Sequence, residues 1–106
     1  MVVDKRYILK YNITVKEIKW DEIKNVWLQE NRNISFEEIL EDIKNGYLIA
    51  KSEHPNQLKY PDQKVFIVNH NEYCYIVPFV EDEREYFLKT IIPSRKATKK
   101  YLEKGG

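Results

Sequence analysis

The stretch at residues 85–101 constrains the fold of this chain more than any other. Apolar residues dominate positions 86–92, which is typical of a buried strand, and Pro93-Ser94 then interrupts the pattern. Residues 95–101 form a short, strongly basic helical pattern for which Ser94 is a natural N-cap. A strand that leads into such a helix brings cations to the end of a sheet, where an anionic ligand such as RNA would be bound.

Composition indicates an ordinary globular protein. A chain of 106 residues with 42% hydrophobic and 33% charged residues predicts one domain, residues 1–106, with a single core. The one cysteine, Cys74, lies in an apolar run, which predicts a packed, reduced thiol and a cytoplasmic protein. There is no apolar run of membrane-spanning length and no signal-peptide pattern, so we expect no membrane partner.

The N-terminal segment, residues 1–17, reads as an extension that contains a strand. Apolar and polar residues alternate from Tyr7 to Val15, which is the period of a half-buried strand. Thr14 and Glu17 leave a second possibility open, because their spacing is that of a capping box at an early helix start.

Two helices are predicted next. Trp20, Ile23 and Trp27 have the spacing of an apolar helix face, and this first helix is expected to end near residues 31–33. Ser35 starts the second helix through a capping box. Its apolar face consists of Phe36, Ile39, Leu40 and Ile43. The helix is expected to end at Gly46. We expect the two helices to form a hairpin on a sheet.

Four further strands are predicted at residues 47–50, 64–68, 73–77 and 86–92. The turns between the last three are short enough to join antiparallel neighbours, and Pro78 is expected to end or bulge its strand. The predicted fold class is therefore α+β: an antiparallel sheet packed by a two-helix hairpin, with a short basic C-terminal helix.

The loop at residues 53–64 holds the first group of candidate site residues. His54 is suited to proton transfer near neutral pH, and Tyr60 accompanies it. Lys59 and Lys64 lie in the same loop and are candidates for RNA binding. The alternative is that Pro55 and its neighbours merely stiffen a connection.

The basic C-terminal segment holds the second group. Residues 89–106 carry six basic residues and one acidic residue, and Lys89 and Arg95 are the catalytic candidates. Arginine suits bidentate phosphate contact at a helix start. The candidates for RNA binding are Lys96, Lys99 and Lys100. The alternative is an ordinary solvent-facing helix. The sequence shows no metal-ligand spacing and no cofactor motif, so we expect neither.

Three segments together resemble the BrnT family of bacterial type II toxins, which have a RelE-like ribonuclease fold. Residues 18–24 (IKWDEIK) and 31–39 (NRNISFEEI) are similar to that family's opening strand, "WDxxK" helix and "SFEE" helix. Residues 89–98 (KTIIPSRKAT) are similar to its closing strand and helix. The chain departs from the family pattern at residues 32–34, where the family has Lys-His-Gly, and at Lys89, where it has arginine.

The resemblance implies a metal-independent endoribonuclease that acts on mRNA without a cofactor. It also implies a cognate antitoxin, through which alone the protein would contact operator DNA. In this hypothesis Lys89, Arg95 and Lys59 bind phosphate, and His54 and Tyr60 are candidate acid/base groups. Two alternatives stay open: a non-catalytic protein-interaction module, and a nucleic-acid-binding regulator.

Overall fold

The computed structural model describes residues 5–9 and 12–103, with side chains from residue 16 onward, and shows an α+β fold. The helices are α1 (Glu22–Arg32), α2 (Phe36–Lys44) and α3 (Arg95–Tyr101). The strands are β1 (Lys5–Leu9), β2 (Asn12–Trp20), β3 (Leu48–Glu53), β4 (Lys64–His70), β5 (Tyr73–Glu81), β6 (Glu85–Leu88) and β7 (Ile92–Pro93). Within these described residues, no helix has the length and apolar character needed to cross a membrane.

The sheet is mixed rather than wholly antiparallel, which corrects the sequence-based prediction. Its strand order is β1-β2-β6-β5-β4-β3, and β7 pairs with β5. Strands β2 and β6 are parallel, with Ile18 opposite Tyr86 and Trp20 opposite Leu88, and the other pairs are antiparallel. Short turns identify antiparallel neighbours only, whereas a parallel pair needs a long crossover, here through both helices and three strands.

The N-terminal region forms two strands where the sequence predicts one. The alternation over residues 7–15 falls on β1 and β2, and the side chains that would test it lie outside the described residues. The alternative of an early helix is wrong, because the backbone of Thr14 and Glu17 belongs to β2. Trp20 is the last residue of that strand instead of the first of a helix.

The helix starts follow local signals. Asp21 caps α1 through its carboxylate, which accepts a hydrogen bond from the backbone of Ile23. Ser35 caps α2 in a capping box with Glu38, as predicted. After α2, Gly46 adopts φ +90°, a conformation that favours glycine. At α3 the Ser94 hydroxyl accepts the backbone N–H of Ala97.

The helices lie on both faces of the sheet. Alternate residues of β4 separate the two faces: Phe66 and Val68 pack in the main core, and Val65 and Ile67 pack in a smaller cluster with Ala97 of α3. The main core also contains Trp20, Leu28, Phe36, Ile39, Leu40, Ile43, Phe79, Tyr86 and Leu88. The sheet is thus covered by α1 and α2 on one face and by α3 on the other.

Helix α1 turns an unexpected face to the core. Its buried residues are Asn25 and Leu28, whereas Ile23 is 80% exposed and Trp27 is 41% exposed. The prediction that Ile23 and Trp27 pack on the sheet is therefore wrong. The spacing of apolar residues identifies a helix but does not show which side of it is covered.

Asn25 joins α1 to the start of α2, and its removal is expected to destabilise the fold. The fully buried side chain accepts a hydrogen bond from the backbone N–H of Phe36 (2.8 Å) and donates one to Glu37 (2.7 Å). Asn25→Ala leaves that buried N–H unpaired, which is expected to lower the free energy of unfolding by about 1–3 kcal/mol. Urea unfolding measures the change. Asn31 is exposed, so Asn31→Ala is the control and should change the free energy of unfolding by less than about 0.5 kcal/mol. Equal losses of free energy in the two variants would contradict the structural role of Asn25.

Candidate active site

A groove of about 320 Å³ brings together three of the four residues predicted to be catalytic: His54, Tyr60 and Lys89. These residues come from the β3–β4 loop and from the segment that directly follows β6, so they are distant in the chain. The remaining lining residues are Lys24, Gln63, Pro78, Thr90 and Ile92. Helix α1 therefore contributes a cation, Lys24, that was not among the predicted site residues.

A bulge in the strand beside β5 places Lys89 in the groove. Between the pairs Phe79–Leu88 and Ile76–Ile92 the register shifts by one residue, so residues 89–91 oppose only two residues of β5. The backbone N–H of Lys89 bonds to the carbonyl of Pro78 at 2.8 Å. Pro78, which lacks an N–H, thus lies opposite the bulge. The strand does not end there, as β5 continues to Glu81.

The β3–β4 loop holds His54 in one orientation. Its Nδ1 accepts a hydrogen bond from the backbone N–H of Asn56 at 2.9 Å, so the hydrogen of the neutral ring lies on Nε2. The ring packs against Tyr60, with centroids 4.6 Å apart. The loop is closed by a bond from the His54 N–H to the carbonyl of Gln63. Nε2 is consequently the ring nitrogen that can donate a proton to a bound molecule.

The groove is electrostatically suited to an anion. Its described lining includes two lysines, Lys24 and Lys89, and contains no carboxylate. A cationic concave site with partly apolar walls attracts negative charge and strengthens each contact with it.

The remaining predicted residues lie outside this groove. Arg95 is the first residue of α3, and it is exposed together with Lys96, Lys99 and Lys100. Helix α3 is held to β5 by Thr98, whose hydroxyl accepts the backbone N–H of Cys74 at 2.8 Å. The role of these four cations in RNA binding stays a prediction.

The two loop lysines also do not line the groove. Lys59 lies over the ring of its neighbour Tyr60, 5.4 Å from the centroid. Lys64 contacts Glu81 at 3.5 Å, in an ion cluster that also includes Lys16 and Lys51. Lys64 is thus engaged in a structural ion pair, and its role in RNA binding stays a prediction as well.

His70 is more constrained than the sequence suggests. It ends β4, and its Nδ1 lies 2.7 Å from the carboxylate of Asp42 on α2, with Glu38 3.7 Å from Nε2. Burial raises the pKa of Asp42 above its ordinary value, although the hydrogen bond with His70 acts to lower it. His70 and Asp42 are 28 positions apart in the chain, so no local sequence pattern indicates that they pair. Its geometry ties α2 to the sheet.

The other chemically reactive groups have structural positions. Cys74 is fully buried, and burial raises the pKa of its thiol, which disfavours the nucleophilic thiolate. Within residues 16–103, no group of three or more His, Cys, Asp or Glu side chains is arranged to hold a metal ion. The groove is therefore the candidate active site.

Comparison with known proteins does not extend these observations. No family model matches the chain, and no curated protein or solved structure matches it either.

Proposed function

We propose that this protein is the toxin of a bacterial type II toxin–antitoxin system, a BrnT-like endoribonuclease with a RelE-like fold that cleaves mRNA in the cytoplasm. The observation that carries the proposal is the meeting of His54, Tyr60 and Lys89 in one cationic groove. The similarity of residues 18–39 and 89–98 to the family motifs supports it independently. A cognate antitoxin would neutralise the protein and would supply its only contact with operator DNA.

The proposed reaction uses the 2′-hydroxyl of RNA as its nucleophile. The 2′ oxygen attacks the adjacent phosphorus, the bond from phosphorus to the 5′ oxygen breaks, and a 2′,3′-cyclic phosphate and a 5′-hydroxyl result. One proton leaves the 2′-hydroxyl and one reaches the departing 5′ oxygen. Because Nε2 of His54 carries the ring hydrogen, we assign to it the proton transfer to the departing 5′ oxygen, and we assign to the phenolic oxygen of Tyr60 the removal of the 2′-hydroxyl proton. No step requires a metal ion or a cofactor.

The lysines of the groove stabilise the negative charge that develops on the phosphate. Lys24 of α1 and Lys89, which follows β6, both line the groove. A phosphate bound between them would contact two cations. Lys59 and Arg95 are assigned to neighbouring phosphates, because they lie outside the groove lining. The lysines of α3 are also assigned to phosphates outside the groove, where they would lengthen the stretch of RNA that the protein contacts.

Induced expression in bacteria tests the proposal. Wild-type protein is expected to arrest growth with loss of RNA, and the His54→Ala/Lys89→Ala double variant is expected to abolish both effects. Arg95→Ala is the comparison: it removes a phosphate-binding cation outside the groove, and we expect it to weaken the arrest less than the double variant does. Arrest by the double variant at equal soluble expression would contradict this choice of site. Absence of arrest by soluble wild type would contradict the toxin itself.

A second candidate is a non-catalytic interaction module. It is favoured by the exposed aliphatic side chains of Ile23 and Val26 on α1, which have no catalytic role. This candidate predicts tight binding of a protein partner and no cleavage of RNA by the purified protein.

A further inference from the structure

Three pairs of an aromatic ring and a cation surround the groove. The Lys24 ammonium lies 4.2 Å from the Trp27 ring centroid, and the Lys89 ammonium lies 5.4 Å from that of Phe87. Lys59 lies at the same distance from Tyr60. In each pair one member lines the groove: Lys24, Lys89 or Tyr60. The groove is thus the centre of a surface on which aromatic rings alternate with positive charges.

Trp27 is the most exposed ring of these pairs. It is 41% exposed, whereas Trp20, the other tryptophan, is completely buried. Tryptophan is highly buried on average and is enriched at binding surfaces, so a partly exposed indole beside a groove is a candidate contact for a ligand. The ring is also outside the proposed catalytic groove, so cleavage chemistry alone does not account for it.

Arg32 connects Trp27 to the groove. Its guanidinium lies 5.0 Å from the Trp27 ring centroid and donates a hydrogen bond to the carbonyl of Ile91 at 2.7 Å. Ile91 belongs to the same bulge that carries Lys89 and Thr90 into the groove. The indole is therefore held at a defined position beside the bulge rather than on an independent surface.

We infer that Trp27 is a stacking site for an unpaired base of single-stranded RNA whose neighbouring phosphate occupies the groove. This inference rests on the proposed function and names the form of RNA that the site accepts. Stacked bases and flanking cations are the general means by which proteins hold single strands. Lys24 serves both parts, because its ammonium contacts the indole and also lines the groove. A duplex, whose bases are stacked internally, offers no free base to Trp27.

Binding to an RNA that cannot be cleaved separates this inference from catalysis. The probe is a mixed-sequence single strand of about 12 nucleotides with 2′-O-methyl groups, and the comparison is the same strand in a duplex. Trp27→Leu is expected to weaken binding of the single strand by roughly 5- to 150-fold. Trp27→Phe, which keeps a ring, should restore most of the affinity. Ile23→Ala, an exposed aliphatic residue of the same helix, is the matched control and should bind like wild type.

Tryptophan fluorescence gives a second measurement on the unmodified chain. Because Trp20 is buried, quenching by acrylamide reports on Trp27, and bound single strand is expected to protect it. If wild type binds the strand and Trp27→Leu binds it equally well, the inference is overturned while the proposed function stands. If wild type binds no RNA, both are overturned. Binding without any cleavage of unmodified RNA would contradict the proposed ribonuclease and leave the stacking site supported.

Discussion

Replacing His54 by glutamine is expected to slow RNA cleavage by about 10²- to 10⁴-fold, the usual contribution of a positioned acid or base. Glutamine keeps a polar side chain of similar reach but cannot exchange the proton that the reaction requires. The structure supports this choice because the Nδ1 atom of His54 is occupied by the Asn56 N–H, which leaves Nε2 for the ligand. The measurement is single-turnover cleavage of a labelled RNA by purified protein in the presence of a metal chelator.

The chain supplies a matched control in its second histidine, His70. His70→Gln makes the same substitution at a ring that contacts Asp42 and lies outside the groove lining. It is expected to leave the cleavage rate of folded protein close to that of wild type, and circular dichroism checks the fold of both variants. The reverse pattern, with loss of cleavage in His70→Gln and none in His54→Gln, would move the active site to the α2–β4 junction.

An RNA with a 2′-deoxy nucleotide at the scissile position should resist cleavage, because it lacks the 2′-hydroxyl that the proposed reaction uses as its nucleophile.

Local elements of this fold could be predicted because their signals lie within a few residues. The Ser35–Glu38 capping box satisfies backbone groups of the same helix turn, so neighbouring residues determine it. The face of α2 is similarly clear, because Phe36 and Ile39 recur at helical spacing and are buried. In these cases periodicity and burial agree.

The remaining features depend on contacts that sequence spacing does not encode. The parallel pairing of β2 with β6 joins residues almost 70 positions apart, and its partner register follows from packing of the whole sheet. The exposed face of α1 has the same origin, since Asn25 rather than Trp27 is buried against α2.

The candidate site could be predicted only in part. His54, Tyr60 and Lys89 can be identified by residue type, but the position of Lys89 beside the other two arises from the 89–91 bulge opposite Pro78, and only the proline indicates that bulge in the sequence. Lys24 is the lysine of the segment that resembles the "WDxxK" helix, but its residue type did not mark it as a site residue, because a lysine on a helix surface is ordinary. Its importance follows from the position of α1 directly after Trp20, beside the bulge.

Glu81 is expected to make a large contribution to stability through its charge. Its carboxylate, 20% exposed, lies 2.6 Å from the ammonium of Lys16, 3.4 Å from that of Lys51 and 3.5 Å from that of Lys64. Burial alone would raise the pKa of Glu81, but the Lys16 hydrogen bond and the Lys51 charge outweigh it, so the pKa is lowered. Glu81→Gln leaves three ammonium groups together, and Lys16 is only 12% exposed. We expect a loss of about 2 kcal/mol in the free energy of unfolding at neutral pH.

The pH dependence of this loss distinguishes the charge from the shape of the side chain. Because the pKa of Glu81 is lower in the folded state, its contribution is complete above the unfolded value of 4.5 and disappears as pH falls through the folded value. The difference between wild type and Glu81→Gln in urea should therefore be largest at pH 7 and shrink in acid. Glu41→Gln, at a carboxylate that is 64% exposed and pairs only loosely with Lys44, should cost less than about 0.5 kcal/mol at either pH. A Glu81→Gln loss that is equal at neutral and acid pH would mean that packing, and not the ion cluster, determines the contribution of this residue.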